Sequence, residues 1–316
     1  MKAIILPEAG EADKLQLTDL PTPEFEDNEV LVKVKAFSIN PVDVKTRSGK
    51  ALYGQLKDQQ PVILGWDISG EIVSSGKNVD KIEVGDEVFG MVNFPGHGKA
   101  YAEFVAVPYH HLAKKPANIT HQEAAAATLA ALTAYQVLVH QLQVKAGERV
   151  LIHAGAGGVG HFAIQIAKHL GAHVITTSSA VNASFVKQLS ADEHVDYTTN
   201  SFEDVIRDAD VVFDTVGGDI SYRSLKSLKD GGRILAIAGG ITDEVKKLAE
   251  ERGIKALTYL VQSSGPDMEV LADLLAKGII KAHVSKVYPY TEIAEAHRQI
   301  ESGKTRGKVV VEWEVG

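Results

Sequence analysis

The chain of 316 residues contains no cysteine. Disulfide bonds are therefore excluded, as are thiolate nucleophiles and zinc sites that are built on thiolates. Twelve histidines remain, but a catalytic zinc ion needs three clustered protein ligands. His110 and His111 would point to opposite faces of a strand, and His97 stands alone in its segment. The sequence therefore predicts no metal site.

Long basic runs and long apolar runs are also missing. The formal net charge is −8, which disfavours nucleic acid as a partner because phosphate binding needs clustered Lys and Arg. No window approaches the ~20 apolar residues of a membrane span. The N-terminal segment MKAIILPEAGEADK has a short apolar stretch that meets acidic residues at once, unlike a secretory signal. A cytoplasmic location is the expectation.

The first third of the chain is rich in strand signals. Val, Ile and Phe partly alternate with polar residues, and glycines separate the segments: LVKVKAFSIN (31–40), PVILGWDISGEIVSSG (61–76), GDEVFGMVNF (85–94) and AEFVAVP (102–108). This spacing predicts an antiparallel domain of the Greek-key or barrel type.

The pattern changes at residue 120. Thr120 and Glu123 have capping-box spacing before an Ala-rich segment, which predicts a helix over 120–142. Apolar strands and helices then alternate, and the predicted strands are 149–154, 173–179, 194–197, 211–218, 231–240 and 255–262. Such alternation predicts a parallel, doubly wound sheet with helices on both faces. After a helix over 268–278, the tail over 285–314 ends in a strand pattern that could complete the sheet of the first domain.

The segment GAGGVG holds four glycines in six residues, and Gly155, Gly157 and Gly160 form G-x-G-x-x-G. A predicted strand precedes it and a predicted helix follows, which is the context of a dinucleotide-binding loop. The first glycine permits a tight turn, the second lets the pyrophosphate approach, and the third lets helix and strand pack closely. The helix N-terminus offers N–H groups to the phosphates. The simpler alternative is a turn that only spaces strand from helix.

The end of the second strand of this domain indicates which dinucleotide binds. An NAD site usually places Asp or Glu there to hold the ribose hydroxyls, whereas this chain has Thr176, Thr177, Ser178 and Ser179. Hydroxyls without a carboxylate favour NADPH. No Arg or Lys lies in the stretch, and the nearest is Lys187. The residues could also be ordinary turn residues.

The chain as a whole resembles the medium-chain dehydrogenase/reductase superfamily, and the zinc-free quinone oxidoreductase branch in particular. The matching segments are INPVDVKTRSGK (39–50), PVILGWDISGEIVSSGKNV (61–79), GDEVFG (85–90), AYAEFVAVP (100–108), AAAATLAALTAYQVL (124–138), AGAGGVG (154–160), VVFDTVGG (211–218) and RGKVVV (306–311). The resemblance implies an α/β protein with a GroES-like β-rich catalytic domain, residues 1–118 and 285–316. It also implies a six-stranded Rossmann dinucleotide-binding domain, residues 119–284.

The departures from the zinc enzymes of this superfamily are informative. Where they have a catalytic Cys this chain has Ser38–Asn40, and where they have His-Glu it has Trp66–Asp67. Their structural-zinc loop of four cysteines has no counterpart after Gly90. The resemblance therefore implies an enzyme without zinc.

The resemblance places Asn40 at the nicotinamide, with Asp43 and Tyr53 near it in sequence. Tyr53 is the candidate proton donor, since a phenol both donates and accepts, although it could be a loop aromatic. Asp43 could only cap the short helix that begins at Pro41. Asp67 is interpreted as a buried carboxylate paired with Arg47, in a structural role.

Further candidates for cofactor binding lie along the chain. The residues are Gly155, Gly157, Gly158, Val159, Gly160, Thr133, Thr177, Ser178, Ser179, Val216, Gly217, Gly239 and Lys308. Thr133 could instead be packed inside its helix, and Lys308 could be an exposed strand lysine. Val216, Gly217 and Gly239 belong to strand ends that line the ligand crevice of a doubly wound sheet.

The leading hypothesis is an NADPH-dependent oxidoreductase that transfers hydride to a quinone or an α,β-unsaturated carbonyl without zinc. The apolar edge strand 255–262 predicts a homodimer through edge pairing. One alternative is a non-catalytic NADPH-binding redox sensor or regulatory protein. A zinc alcohol dehydrogenase with unusual ligands is another, and the missing cysteines oppose it.

Overall fold

The computed structural model describes residues 1–313. Its strands are β1 (Lys2–Ile5), β2 (Gln16–Asp19), β3 (Glu29–Ile39), β4 (Asp67–Ser75), β5 (Glu87–Met91), β6 (Phe104–Pro108), β7 (Leu112–Lys114), β8 (Arg149–Ile152), β9 (His173–Ser178), β10 (Glu193–Asp196), β11 (Ala209–Asp214), β12 (Leu228–Ala236), β13 (Lys255–Thr258), β14 (Val284–Pro289) and β15 (Lys308–Glu312).

The α-helices are α1 (Pro41–Arg47), α2 (Tyr53–Leu56), α3 (His121–Ala126), α4 (Leu129–Tyr135), α5 (Gly160–His169), α6 (Ala183–Gln188), α7 (Phe202–Val205), α8 (Asp219–Ser224), α9 (Asp243–Glu250), α10 (Gly265–Ala276) and α11 (Ile293–Glu301). Short 3₁₀ segments are Ala12–Lys14, Tyr109–His111, Ala180–Asn182, Leu225–Ser227 and Tyr290–Glu292, and Gln136–Gln141 is a π-helical turn. No helix within residues 1–313 is long and apolar enough to cross a membrane.

The chain forms two compact units, one of residues 133–260 and one of residues 1–132 with the described part of the segment that begins at Val261. The sequence-based domains, 1–118 with 285–316 and 119–284, stay a prediction. The compact units do not test them, because a compact unit need not fold independently. Residues 314–316 of the first predicted domain lie outside the described part of the chain.

The unit that contains both chain ends is built on a mainly antiparallel sheet with the order β14-β15-β3-β4-β5-β7, and β6 also pairs with β3. The tail returns to this sheet, because β15 pairs antiparallel with β3. The alanines of α3 allow it to pack closely on the sheet, where Ala125 and Ala126 contact Ala36 and Val310. The predicted β-rich fold of both chain ends is confirmed.

Residues 133–260 contain a six-stranded sheet with the order β10-β9-β8-β11-β12-β13. Every neighbouring pair is parallel, and most residues of the central strands β8, β9 and β11 are buried, as is usual in parallel sheets. This is the predicted doubly wound Rossmann fold. The strand order reverses between β8 and β11, which is where such sheets bind ligands, at the carboxyl ends of the strands.

The single helix predicted over 120–142 is wrong in detail, although its N-terminus is correct. Thr120 and Glu123 form the capping box of α3. The helix then breaks, because the Thr128 hydroxyl donates to the Ala125 carbonyl (2.8 Å) and the Leu129 N–H donates instead to Asp67 Oδ1 (3.0 Å). The helical hydrogen bond from Leu129 to Ala125 is thus replaced, and α4 starts afresh.

Candidate active site

A buried polar cluster lies where β3 ends and β4 begins. The Asp67 carboxylate accepts hydrogen bonds from the Ser38 hydroxyl (2.5 Å), the Asn40 amide Nδ2 (2.7 Å) and the Leu129 N–H (3.0 Å). Ser38, Asn40 and Asp67 are all buried. Antiparallel pairing sets this geometry, since Ser38 lies directly opposite Asp67 across β3 and β4. The cluster fixes the Asn40 side chain in one orientation.

Lys308 completes this cluster from the last strand. Its ammonium donates to the Asn40 side-chain oxygen and to the Ile39 carbonyl (3.2 Å), and it lies 3.6 Å from Asp67 Oδ2. Burial lowers the pKa of Lys308, and the Asp67 and Asp43 carboxylates oppose that effect. The alternative of an exposed strand lysine is wrong, because Lys308 is only 2% exposed. Its predicted contact with a cofactor stays a prediction.

Asp43 caps the helix that follows. Asn40 and Asp43 form the capping box of α1, in which the Asn40 N–H donates to Asp43 Oδ2 at 2.6 Å. Desolvation, helped by the neighbouring Asp67 charge, raises the pKa of Asp43 to about 7. Its Oδ1 is buried without a hydrogen-bond partner among the described residues. The capping interpretation of Asp43 is confirmed, and a catalytic role stays a prediction.

The predicted pairing of Asp67 with Arg47 is wrong. Arg47 is buried, donates to the Gly10 carbonyl (3.1 Å) and pairs with Glu301. Its place in the last turn of α1 directs it to α11 rather than to the end of β3, since α1 packs on α11. The cation beside Asp67 is supplied by Lys308, from the far end of the chain.

Tyr53 begins α2 and is half-buried. Its hydroxyl oxygen accepts a hydrogen bond from the Ala9 N–H at 3.2 Å. This contact anchors the oxygen and leaves the phenolic proton available for donation. Within residues 1–313 the hydroxyl makes no hydrogen bond with Asn40 or Asp43, so the structure does not bring the three predicted catalytic residues into one hydrogen-bonded group.

The glycine loop follows β8 at the point where the strand order reverses. A Cβ on Gly155 would lie 2.0 Å from Thr176 Oγ1, and one on Gly160 would lie 2.2 Å from the Ala154 carbonyl. Both positions therefore require glycine so that loop, helix and neighbouring strand can meet. A Cβ on Gly157 would have the Ala154 carbonyl oxygen at 3.2 Å as its nearest neighbour, so this position has more room than the other two. Gly158 and Val159 complete the turn before α5, which begins at Gly160.

A buried histidine directly before this loop links β9 to α8. His153 is 1% exposed, and its ring joins Thr177 Oγ1 (Nδ1, 3.1 Å) to Ser224 Oγ (Nε2, 2.9 Å). Ser224 donates its own proton to the Ile220 carbonyl, so Nε2 of His153 donates to Ser224 and Nδ1 accepts from Thr177. Desolvation lowers the pKa of His153 to about 4, which keeps the ring neutral.

The strand-end hydroxyls have internal partners. Thr176 donates to the Ile152 carbonyl (2.7 Å), Thr177 is bound to His153, and Ser178 Oγ lies 2.8 Å from His194 Nε2. The Ser179 hydroxyl accepts from Asn182 at 3.2 Å. Cofactor contacts by Thr177, Ser178 and Ser179 stay a prediction.

The turn after β11 is organised by Asp214. Its carboxylate accepts from the N–H groups of Val216 (2.8 Å) and Gly217 (2.9 Å) and from the Ser221 hydroxyl (2.5 Å). Gly217 has φ +80°, and a Cβ there would lie 2.0 Å from the Ala238 carbonyl. Val216 is 51% exposed at the carboxyl end of the sheet, where a ligand of such a fold lies.

The two remaining cofactor candidates lie on α4 and after β12. Thr133 is buried, and Gly239 has φ +70°. Cofactor contacts by both stay predictions.

Sequence reasoning missed the hydrogen-bonding roles of Ser38, Asp67, His153, His194 and Asp214. The available signals were positional: Asp67 and Ser38 stand where the zinc enzymes have ligands, and Asp214 ends the fourth predicted strand. No signal in the sequence pairs His194 with Ser178. Within residues 1–313 no group of three or more His, Asp or Glu side chains could hold a metal ion.

The sequence is similar to known families of dehydrogenases and oxidoreductases. Residues 26–117 match the family model described as an alcohol dehydrogenase GroES-like domain, and residues 189–311 match one described as a zinc-binding dehydrogenase. The NADPH-dependent alkenal/one oxidoreductase of Arabidopsis thaliana chloroplasts is 34% identical over 98% of this chain and 79% of its own length.

Two solved structures are also similar. The quinone oxidoreductase from Coxiella burnetii has a TM-score of 0.94 and 38% identity over 99% of both chains. The Escherichia coli quinone oxidoreductase complexed with NADPH has a TM-score of 0.86 and 27% identity over 99% of this chain and all of that one. Sequence order, sheet topology and these likenesses agree, and the chain therefore belongs to the medium-chain dehydrogenase/reductase superfamily, in its quinone oxidoreductase branch, and is an oxidoreductase.

Proposed function

We propose that this protein uses NADPH to reduce a quinone or an α,β-unsaturated carbonyl without zinc. The observation that carries the proposal is the glycine loop at the reversal point of the parallel sheet, where Gly155 and Gly160 admit no side chain. The relatives named above as quinone or alkenal/one oxidoreductases, and the solved complex with NADPH, support both the cofactor and the acceptor class.

The loop fits a dinucleotide. Its backbone carries no side chain at Gly155, Gly157, Gly158 or Gly160, and α5 begins directly behind it. We assign pyrophosphate binding to this backbone and to Val159, and further contacts to Val216, Gly217 and Gly239 at the ends of neighbouring strands. Thr133 and Lys308 remain proposed contacts. The bound cofactor supplies a hydride from its nicotinamide.

The donor set at the end of β3 does not fit a catalytic zinc ion. Ser38 offers a neutral hydroxyl, and the Asp67 carboxylate is already held by Ser38, Asn40 and Leu129. The Lys308 ammonium also lies beside it. Quinones and enones need less polarisation than simple ketones, because the acceptor itself stabilises the charge that arrives with the hydride. Quinones and enones therefore suit a site that accelerates the reaction mainly by holding the acceptor close to the nicotinamide.

Three side chains of the first unit complete the proposal. Asn40, held by Asp67 and Lys308, is assigned to the nicotinamide side of the site, and Asp43 keeps the chain at Asn40 in place through its cap. Tyr53 is the proposed proton donor to the reduced acceptor. Tyr53→Phe should lower kcat for an enone about tenfold with little change in KM, because proton donation contributes little to binding the acceptor.

Oxidation of NADPH with a panel of benzoquinones and enones, with and without a chelator, tests the proposal. Chelator-insensitive turnover supports it. Turnover lost on chelation and restored by zinc would show a zinc enzyme. NADPH binding without turnover of any acceptor would favour the redox-sensor alternative. The protein should be assayed at several concentrations, because we also propose a homodimer through β13.

The dimer proposal rests on β13, which is one of the two edge strands of the six-stranded sheet. Its Ala256 and Leu257 are only partly buried, and Leu260 just beyond is 50% exposed. Pairing of two such edges would cover them. Light scattering gives the molar mass of the wild type and of a Leu257→Lys variant in solution. We expect a dimeric wild type and a variant that is shifted towards the monomer, and a monomeric wild type would contradict the proposal. The expected cytoplasmic location stays a prediction.

A further inference from the structure

A cofactor with a 2′-phosphate needs positive charge or donors near the end of β9. The hydroxyls of Thr176 and Thr177 are used internally, by Ile152 and His153. The segment 173–186 contains no Lys or Arg. Any positively charged partner for the 2′-phosphate must therefore come from another element.

His194 reaches this position from the neighbouring strand. In the parallel pair of β10 and β9, His194 lies opposite Thr176, and its ring extends to the strand end. Nε2 lies 2.8 Å from Ser178 Oγ and 3.2 Å from the Ser178 carbonyl. Nδ1 has no hydrogen-bond partner within residues 1–313, and the side chain is only half-buried. The ring is thus anchored through one nitrogen and presents the other to solvent.

A carboxylate also lies at this edge, and it accepts hydrogen bonds from its own turn and from the residue after β9. Asp196 accepts from the Thr198 N–H (3.0 Å), the Thr198 hydroxyl (2.8 Å) and the Thr199 hydroxyl (3.3 Å). These donors, with the Ala180 N–H, lower the pKa of Asp196. Asp196 therefore ties its own turn to Ala180 just beyond β9, and its carboxylate oxygens are occupied by these donors rather than free to hold a ribose.

We propose that His194 receives the 2′-phosphate of NADPH and is the residue that sets the preference for NADPH over NADH. The inference rests on the proposed binding of a dinucleotide at the glycine loop and adds its specificity determinant. Because Nε2 faces the Ser178 carbonyl and therefore donates, Nδ1 can donate to a phosphate oxygen only in the doubly protonated ring, and that hydrogen bond is charge-assisted. NADH has no phosphate at this position, so loss of the ring should not affect it.

The experiment is equilibrium binding of NADPH, NADH, 2′,5′-ADP and 5′-AMP to the full chain by calorimetry. His194→Asn should weaken NADPH and 2′,5′-ADP about tenfold and change NADH and 5′-AMP less than twofold. His173→Asn is the matched control, since it removes an imidazole from the opposite end of β9, where Nε2 binds Glu193. Asp196→Asn should leave the ratio of the two affinities unchanged.

The outcomes separate this inference from the proposed function. If His194→Asn binds both dinucleotides with the wild-type ratio, the inference is wrong while the proposed function stands. If the wild type binds neither dinucleotide, the proposed function fails and the inference with it.

If His194→Asn does not fold, ¹⁵N-imidazole NMR spectra of the wild type can test whether a histidine ring contacts the 2′-phosphate. One histidine ring should shift with 2′,5′-ADP and not with 5′-AMP. Equal response of all rings to both ligands would overturn the assignment.

Discussion

The polar cluster at the end of β3 and the glycine loop after β8 show two different ways of building a site. The cluster consists of side chains that the fold gathers from distant positions, since Asn40 and Lys308 are 268 positions apart. The loop consists of consecutive residues, and its proposed contact with phosphate uses their backbone. A loop of this kind can be recognised from spacing, whereas the partners in the cluster depend on strand register.

The two regions also differ in how they tolerate change. At Gly155 and Gly160 of the loop the constraint is steric, and a single added carbon would clash with neighbouring atoms. In the cluster the constraint is electrostatic, because removing the charge of Lys308 or Asp67 would leave the opposite charge of its buried partner uncompensated. The following changes test that contrast, from the largest expected effect to the smallest.

Gly160→Val should have the largest effect. Its Cβ would lie 2.2 Å from the Ala154 carbonyl and 2.7 Å from the Gly155 Cα, and both are backbone atoms that cannot move aside. We expect a loss of about 4 kcal/mol or more in the free energy of unfolding, together with loss of NADPH binding. Chemical denaturation and calorimetry measure the two effects.

Gly157→Ala is the control for the loop. Its Cβ has the Ala154 carbonyl at 3.2 Å as nearest neighbour, so the free energy of unfolding should change by less than about 1 kcal/mol. Affinity for NADPH should still fall about tenfold or more, because the methyl group stands where the pyrophosphate approaches. Unchanged affinity would contradict the assignment of the loop to phosphate binding.

Lys308→Met should cost about 3–5 kcal/mol, because it leaves the buried Asp67 carboxylate without its cation. The double change Lys308→Met with Asp67→Asn should recover part of that loss, since the uncompensated charge is then gone. Lys286→Met on β14 is the control: this lysine is exposed over Tyr288 and should cost less than about 1 kcal/mol. Equal costs for Lys308 and Lys286 would show that the cluster is not electrostatically coupled.

Asp43→Asn should change the pH dependence of stability. The folded protein holds the Asp43 proton up to pH about 7, whereas an unfolded chain releases it near pH 4. The folded state thus binds more protons in this window, and the free energy of unfolding falls as the pH rises from about 4 to 7. The variant lacks this contribution, so its stability relative to the wild type should rise across the window by about 1–3 kcal/mol.

Buried histidines change the free energy of unfolding with pH in the opposite direction, because they make the protein less stable as the pH falls. The wild type must therefore be compared with Asp43→Asn to separate the two effects. Desolvation lowers the pKa of His153 to about 4 and that of His297 to about 3. Both stay neutral when folded and bind protons when unfolded, so stability is lost as the pH falls below about 6.5. Denaturation of both proteins from pH 4 to 8 isolates the Asp43 contribution by subtraction. A pH-independent difference would contradict the raised pKa.

Thr177→Val should have the smallest effect. The hydroxyl donates to His153 and accepts weakly from the Ala154 N–H (3.3 Å), so its loss should cost about 1 kcal/mol. The ratio of NADPH to NADH affinity should not change, because this hydroxyl is turned inward. A changed ratio, measured by calorimetry, would support the predicted contact of Thr177 with the cofactor.

Sequence patterns alone predicted the class of fold, the six parallel strands, the glycine loop, a cap at Asp43 and the capping box of α3. These features are local: periodicity, glycine spacing and cap residues act within a few positions of one another. The tertiary structure decided that Asp67 pairs with Lys308 and not with Arg47, that Leu129 breaks a predicted helix, and that His194 lies against Ser178. Those contacts follow from strand order and register, and residue types along the chain do not encode either one locally.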